Sequence, residues 1–277
     1  MLTMLKRWPL MAVFAVAGAF VVAGCGDDDG GSGGGGSGLN TITEGELRVG
    51  SDIPYPPFEF GRTPDYEGFD VDIVNEIAKR LDVEAKFVKT PFDPIFRNLA
   101  QGRFDMVASA VTITPERQRT VDFSDPYFPA NQSLMVKRGS DIKTVDDLKG
   151  KTVGAQLGTT GADYAKDKTD AETVRTYDLI DDAFKALQAG QVEAVINDFP
   201  VSKYAERSKK DLVVVQTIET GEEYGLSFAK EDAALRDRVN RELRAMKEDD
   251  TYTKIYRKWF QADPPDSIFE TPTSNNS

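Results

Sequence analysis

The chain contains no histidine and only one cysteine, and both scarcities narrow what it can do. Without histidine, catalysis by a histidine base and metal binding by histidine are excluded. The lone Cys25 excludes an intramolecular disulfide. Positive charge is also scarce, with 34 Lys and Arg against 46 Asp and Glu, a formal net charge of −12. This balance argues against nucleic acid and anionic lipid as electrostatic partners.

An apolar run lies at the N-terminus and is too short for a comfortable membrane span. It covers residues 10–22, follows Lys6 and Arg7, and ends in the letters VAGC at Cys25. The pattern predicts an export signal over residues 1–24. It resembles a bacterial lipoprotein processing site, in which Cys25 becomes the lipidated first residue; a free thiol after an ordinary signal peptide is the alternative. Removing residues 1–24 changes the formal charge from −12 to −14.

Low-complexity segments flank the body of the chain. Residues 26–38, GDDDGGSGGGGSG, have no side chains that could build a core, so we expect a lipidated cysteine and flexible tether over 25–38. At the other end, residues 265–277 are rich in Pro, Ser and Asn and are expected to be disordered. The body of roughly 225 residues suffices for one large domain or two small ones.

Strands and helices alternate along the body, which predicts an α/β fold with parallel pairing. Apolar residues at Phe69, Ile73, Ile77 and Leu81 predict a helix over 69–81. The predicted strands are 46–52, 85–90, 104–111, 152–156, 173–177, 194–198, 212–218 and 225–230. The other predicted helices are 94–101, 231–248 and about 251–260.

A quasi-repeat relates two parts of the body. IFRNLAQGRFDMVAS (95–109) matches AFKALQAGQVEAVIN (183–197) at a constant offset, with Gly102 aligned to Gly190 and Asp105 to Glu193. Each unit reads as a helix ended by glycine, a tight turn and a buried strand. The repeat predicts two similar α/β lobes; a shared, generic helix–turn–strand solution is the alternative.

The segment TITPERQRTVDFSDPY (112–127) carries the arginine that we regard as the best candidate for ligand binding. Thr114 suits a helix N-cap and Pro115 the first helical position, so Arg117 is predicted in a first helical turn. A free cation is mildly disfavoured there, and a bound carboxylate would explain it. The alternative is a surface arginine paired with Glu116 or Asp122.

The repeat gives Arg117 a partner on the opposite lobe. Ligands of open parallel sheets bind beyond the carboxyl ends of the strands. Those ends are Ser109 to Thr112, leading to Arg117, and Asn197 with Asp198. If the lobes face each other, Arg117 and Asp198 would bracket a zwitterion, with its carboxylate at Arg117 and its ammonium at Asp198.

At this point six motifs together resemble a known family, the extracellular solute-binding proteins, family 3, of polar amino-acid ABC importers. They fall in the family's order: SDIPYPPFEF (51–60), EGFDVDI (67–73), TITPERQRTVDFSDPY (112–127), LKGKTVGAQLGTTGADYAK (148–166), ND (197–198) and DDTYTKIYRKWF (249–260). The resemblance implies a two-lobe periplasmic-binding-protein-like fold of type II, each lobe a mixed, mostly parallel sheet flanked by helices. Lobe one would be 39–131 plus 226–264, and lobe two 132–225.

The resemblance also implies roles for individual residues. Arg117 matches the residue that grips the ligand carboxylate, and Thr112 the hydroxyl residue near both charged groups. The Ala110 carbonyl and the Asp198 side chain match the ammonium acceptors. Thr160 matches the residue whose backbone N–H meets the carboxylate, in keeping with anion binding at a helix N-terminus.

Four further positions match the family's side-chain pocket. Tyr55 and Phe92 match aromatic walls, or are ordinary core residues. Asp52 matches a position that contacts the ligand side chain, or is a turn or capping aspartate, and Gln156 matches a position where specificity varies. An acidic Asp52 beside a neutral Gln156 favours arginine or lysine, although Asp52 could equally accept from the carboxamide of glutamine. Glu59 and Glu67 are expected to be solvated.

The resemblance implies an extracytoplasmic, lipid-anchored protein that binds an L-amino acid and delivers it to an ABC permease. We expect a monomer without cofactor or metal and without enzymatic activity. Two alternatives remain. The first is a dehydratase of carboxylated ring acids on the same fold, which would need a cleft carboxyl with a raised pKa. The second is a sensory domain, for which the chain carries no signalling segment.

Overall fold

Twelve strands and seven α-helices make up the part of the chain that the computed structural model describes, residues 39–269. The strands are β1 (Glu46–Ser51), β2 (Phe60–Arg62), β3 (Asp65–Glu67), β4 (Glu84–Lys89), β5 (Met106–Val107), β6 (Val121–Phe123), β7 (Phe128–Lys137), β8 (Thr152–Gln156), β9 (Thr173–Tyr177), β10 (Ala194–Asp198), β11 (Leu212–Tyr224) and β12 (Ser227–Ala229). The helices are α1 (Phe69–Arg80), α2 (Ile95–Ala100), α3 (Thr160–Asp167), α4 (Ile180–Gln188), α5 (Phe199–Ser208), α6 (Ala233–Glu248) and α7 (Thr251–Phe260).

Two mixed five-stranded sheets form the two lobes. The first has the order β4-β1-β5-β12-β6, with β1 parallel to β4 and β5, and β12 antiparallel to β5 and β6. The second has the order β11-β7-β10-β8-β9, with β8 parallel to β10 and β9, and β7 antiparallel to β10 and β11. Each sheet therefore has two parallel and two antiparallel pairings.

The chain crosses between the sheets twice. It leaves the first sheet between β6 and β7 and returns between β11 and β12. Because β7 pairs with β11 from Phe128 opposite Tyr224 to Lys137 opposite Leu212, the two crossings lie side by side. The lobe boundaries after residues 131 and 225 stay a prediction.

The quasi-repeat extends beyond the order of elements to the hydrogen bonds. Gly102 and Gly190 follow α2 and α4 with φ of +68° and +73°, a left-handed conformation that favours glycine. Asp105 accepts from the Arg48 N–H at 2.6 Å, and Glu193 accepts from the Thr152 N–H at 2.8 Å. Each aligned acid thus binds the neighbouring parallel strand of its own sheet, a detail that a generic helix–turn–strand unit would not require.

The apolar face of α1 packs into the hydrophobic core of the first lobe. Phe69, Ile73 and Ile77 are fully buried, as the helical spacing predicts. Phe69 packs against Phe260 of α7 with ring centroids 5.3 Å apart. Burying one such side chain contributes about 1.5–3 kcal/mol. Gly68, just before α1, has φ of +140°, and a Cβ there would lie 2.0 Å from the Phe58 carbonyl oxygen, so this entry to α1 requires glycine.

Several sequence predictions need correction. The ten-residue strand β7, which contains Pro129, was not predicted from the sequence. β11 extends to Tyr224 rather than ending at residue 218. The predicted strand 104–111 pairs only over β5, because the chain turns out of the sheet at Ala110, whose φ is +46°.

The predicted disordered tail starts too early. Residues Asp266–Phe269 form a 3-10 turn, Ile268 is buried, and Phe269 contacts the Tyr252 ring. The predicted signal peptide, Cys25 and tether lie outside the described residues, as do residues 270–277. Within residues 39–269, none of the helices has the length and apolar character to cross a bilayer.

Candidate ligand-binding site

A cavity between the two lobes brings together all nine residues that were predicted for the site. Its empty space, part of it open to solvent, is about 300 Å³. The lining residues are Asp52, Tyr55, Phe92, Ser109, Ala110, Thr112, Arg117, Gln156, Thr159, Thr160 and Asp198. Ser109 belongs to the strand end at which the sequence predicted the ligand, although no role was given to its side chain, and Thr159 was not predicted. Whether these residues bind a ligand stays a prediction.

Arg117 bridges the lobes at one end of the cavity. Its Nη1 donates to the Thr112 carbonyl at 2.8 Å, and its Nη2 to the Gly158 carbonyl at 3.1 Å. The guanidinium also lies 5.2 Å from the Phe92 ring centroid, within cation–π range. Burial lowers the pKa of Arg117, although a guanidinium stays charged.

The segment around Arg117 differs from the prediction. It forms one 3-10 turn, Arg117–Arg119, and no α-helix follows, so the helix-dipole argument loses its basis. The predicted N-cap is also displaced, because the turn begins after Glu116; the Thr114 hydroxyl nonetheless accepts from the Arg117 N–H at 3.1 Å. Asp122, the alternative ion-pair partner, binds Lys230 and Arg236 instead.

Asp198 stands at the opposite wall, at the end of β10. Its Oδ2 accepts from the hydroxyls of Tyr55 and Tyr224, both at 2.6 Å, and its Oδ1 from the Gln132 amide at 2.6 Å. Burial, assisted by the negative charge of Glu222, raises the pKa of Asp198 to about 6, while the hydrogen bonds oppose the shift. Within residues 39–269 this carboxylate has three donors but forms no ion pair, which suits an ammonium ligand.

Asp70 fixes the backbone of Ala110, which has a left-handed conformation. The Ala110 N–H donates to Asp70 Oδ2 at 2.8 Å, and Asp70 also accepts from the Tyr127 hydroxyl at 2.8 Å. Burial raises the pKa of Asp70 to about 6, whereas these hydrogen bonds lower it. Asp70 therefore supports Ala110 without lining the cavity, a role that the sequence did not suggest.

Asp52 and Gln156 meet across the cleft. Asp52 is buried at the end of the first strand, and its Oδ2 accepts from Gln156 Nε2 at 2.5 Å. Burial raises the pKa of Asp52 to about 6, against the opposing effects of the Gln156 hydrogen bond and the charge of Lys89. The Asp52 N–H donates to Ser109 Oγ at 2.9 Å, so the backbone under the carboxylate is fixed.

Glu59 corrects another expectation. It was expected to be solvated but is fully buried, with Oε1 accepting from Ser109 Oγ at 2.7 Å. Burial and the neighbouring charge of Asp70 raise the pKa of Glu59 well above its usual range. Glu67 is exposed, as expected. Within residues 39–269 no cluster of His, Cys, Asp or Glu could hold a metal ion.

Comparison with known proteins identifies the family. The family model of the bacterial extracellular solute-binding proteins, family 3, matches residues 47–262. The chain belongs to this family. Membership implies an extracytoplasmic location, an amino-acid ligand and an ABC transporter as partner.

Individual family members are similar over most of their length. The L-cystine-binding protein TcyJ of Escherichia coli (strain K12) is 35% identical over 264 residues, which cover 94% of this chain and 97% of TcyJ. A solved ancestral arginine-binding protein bound to glutamine is 40% identical with a TM-score of 0.76, covering 79% of this chain and 100% of its own. The ancestral amino-acid-binding protein AncCDT-1, a precursor of cyclohexadienyl dehydratase, is 42% identical with a TM-score of 0.73, covering 78% and 96%.

Proposed function

We propose that the protein binds an L-amino acid by closing its lobes over it, with Arg117 at the carboxylate and Asp198 at the ammonium. The observation that carries the proposal is the pairing of these two charged groups on opposite walls of one cavity. Arg117 donates only to carbonyls in the described structure, so its charge is available to a ligand carboxylate. The Ala110 carbonyl would supply a further ammonium acceptor, and the Thr112 hydroxyl would lie between the two ligand charges.

We propose a basic amino acid, arginine or lysine, as the favoured ligand. Among the described residues that line the cavity, two are acidic, Asp52 and Asp198, and Asp52 is buried beside the neutral Gln156. With Asp198 assigned to the ammonium, Asp52 would be the acidic partner of the ligand side chain. A cation would stabilise the charged form of Asp52, which burial disfavours. Tyr55 and Phe92 would form the walls beside the aliphatic part of the ligand. Glutamine is the alternative, because the Asp52–Gln156 pair could also bind a carboxamide.

We propose that Cys25 carries a lipid that anchors the protein on the outer side of the cell membrane. The VAGC sequence after a short apolar run supports the lipid, and residues 26–38 would tether the lobes. From there the closed protein would deliver its amino acid to an ABC permease. The protein would act as a monomer and without turnover of its ligand.

A thermal-shift panel of the common L-amino acids on the purified protein tests the proposal. A ligand at about 100 times its dissociation constant adds about 2.7 kcal/mol of stability. We expect arginine and lysine to give the largest shifts, glutamine a smaller one, and D-arginine little. If none of the L-amino acids shifts the unfolding temperature, the proposed function is wrong.

The dehydratase alternative rests on the likeness to AncCDT-1 and on the raised pKa of Asp198, which a general acid would need. We favour binding over this reaction because Tyr55, Tyr224 and Gln132 all donate to Asp198 and so favour its charged form. To decide between binding and catalysis, the protein is incubated with a carboxylated cyclohexadienol, and formation of the aromatic product is followed by absorbance. Product formation well above the rate in buffer would support the dehydratase.

A further inference from the structure

Glu222 lies on β11, close to the point where the chain returns to the first lobe, and a bulge aims its side chain into the cleft. The pairing of β11 with β7 shifts between Ile218 and Glu222, which stand opposite Gln132 and Ala130. Four steps on β11 thus match two on β7. Gly221 has φ of +64°, and the N–H groups of Thr220 and Gly221 both donate to Asn131 Oδ1. Bulges of this kind re-aim a side chain, and this one is held by specific hydrogen bonds.

The Glu222 carboxylate joins the two lobes through three donors. Its Oε2 accepts from the Thr112 hydroxyl at 2.9 Å, the Thr160 hydroxyl at 3.0 Å and the Gln132 amide at 3.1 Å. Thr112 follows a strand of the first sheet, whereas Thr160 begins α3 beside the second. Charge-assisted bonds of this kind are about twice as strong as neutral ones. Glu222 therefore favours the closed arrangement of the lobes.

Two of the three donors of Glu222, the hydroxyls of Thr112 and Thr160, belong to residues of the proposed carboxylate site. Thr112 and Thr160 both line the cavity together with Arg117. Thr160 is the first residue of α3, and the N-terminus of a helix favours an anion. A ligand carboxylate at this position and the Glu222 carboxylate would compete for the same hydroxyls and would repel each other. Both cannot keep full hydrogen bonding at once.

We infer that Glu222 is an internal competitor of the ligand carboxylate: it closes the cleft by taking the Thr112 and Thr160 hydroxyls, and a ligand must displace it to bind. This inference rests on the proposed function, because it assumes that the ligand carboxylate binds beside Arg117. Only the fraction of protein in which Glu222 has released these hydroxyls is competent, so the apparent dissociation constant is the intrinsic one divided by that fraction. Since every amino acid carries the same carboxylate, Glu222 weakens all ligands equally and leaves their ranking unchanged.

The variants Glu222→Ala and Glu222→Gln test the inference. In the protein without added ligand, small-angle X-ray scattering should give a larger radius of gyration for Glu222→Ala, because the lobes lose a link. Calorimetry should give tighter binding of arginine and glutamine alike, by on the order of fivefold or more. Stopped-flow fluorescence should place most of that gain in a faster association rate. Glu222→Gln keeps an acceptor but loses the charge, so its gain should be smaller and of the same sign.

The matched control is Glu223→Gln, which removes an exposed carboxylate at the next position and should leave affinity and scattering near wild type. Thermal unfolding checks that each variant is folded. Weaker binding in both Glu222 variants would overturn the inference, because Glu222 would then act as an acceptor for the ligand ammonium. Unchanged affinity together with unchanged scattering would also overturn it. If the wild type binds no amino acid, the proposed function is wrong. The scattering measurement on the protein without ligand would then still test whether Glu222 closes the lobes.

Discussion

The Tyr55 hydroxyl donates to Asp198 Oδ2 across the cleft at 2.6 Å, and so joins the first lobe to the end of β10 in the second. Both residues are buried, and the same hydroxyl lies 3.1 Å from Asn197 Oδ1. The lobes therefore contact each other through polar groups that the proposed function assigns to a ligand. Binding exchanges these contacts for contacts to the amino acid, so its free energy reports a difference between two sets of hydrogen bonds.

Arg117→Ala should weaken the binding of every L-amino acid. The ligand carboxylate would keep only the hydroxyl and N–H donors of Thr112 and Thr160, and truncating one partner of a buried charge pair costs roughly 2–5 kcal/mol. That corresponds to a loss of about thirtyfold or more in affinity, measured by isothermal titration calorimetry. Arg119→Ala is the control, because Arg119 lies exposed on the same 3-10 turn. Unchanged affinity in Arg117→Ala would refute the assignment of the carboxylate site.

Asp52→Asn should change the ranking of ligands more than it changes binding in general. The variant keeps an acceptor beside Gln156 but removes the negative charge, so arginine and lysine should lose affinity by roughly tenfold or more, whereas glutamine should change little. A competition assay with labelled ligand measures the ranking. Asp170→Asn, which removes an exposed carboxylate that does not line the cavity, is the control. Equal losses for all ligands would exclude a side-chain role for Asp52.

The residues predicted for the site line one cavity in the structure, and several of them could be singled out because they lie at the ends of regular elements or in family motifs; that they bind a ligand stays a prediction. Asp52 and Asp198 follow or end strands whose apolar runs were recognised, and Arg117 and Thr160 lie in motifs with their own turn signals. Glu222 could not be found in this way. The direction of its side chain depends on a β-bulge that Asn131 of the neighbouring strand holds in place. In the sequence, the pair Thr220-Gly221 indicates an irregular strand there but does not show where the Glu222 side chain points.

Glu59 was misjudged for a related reason. Spacing along the chain put it beyond the pocket, but the backbone doubles back between Tyr55 and Glu59: the Tyr55 N–H donates to the Glu59 carbonyl at 2.6 Å, and the two residues form an isolated β-bridge. This turn carries the Glu59 side chain under the sheet to Ser109. A charged residue in a proline-rich segment is more often exposed, and only the tertiary contact overrides that expectation.

Ligand binding should weaken below pH 6. Asp52 and Asp198 both have a pKa of about 6, and a bound cation stabilises the charged form, so protons compete with the ligand as the pH falls. From pH 7 to pH 5 each carboxyl should cost roughly tenfold in affinity. Arginine, which would use both carboxyls, should lose about a hundredfold, and glutamine about tenfold.

Calorimetry of the wild type and of Asp52→Asn across this pH range checks the assignment. In the variant, the loss for arginine should shrink to about tenfold, since only Asp198 still titrates. A profile for arginine that is the same in both proteins would contradict a contact between Asp52 and the ligand cation.

Asp70→Asn should change how stability depends on pH. The pKa of Asp70 is about 6 in the folded protein, above its ordinary 3.8, so the folded state binds this proton more tightly than the unfolded state. Its contribution is complete below about pH 4 and is lost as the pH rises through 6. At pH 7 the loss is about 3 kcal/mol, which the variant, having no proton to exchange there, does not suffer. The free energy of unfolding of the wild type minus that of Asp70→Asn should therefore rise by roughly 2 kcal/mol from pH 7 to pH 4, as measured by urea unfolding.

Tyr127→Phe provides a second test, because the Tyr127 hydroxyl lowers the pKa of Asp70 by donating to it. Without that donor, the loss of stability should begin at a higher pH; parallel stability profiles for Asp70→Asn and wild type would show instead that the proton on Asp70 is not coupled to folding.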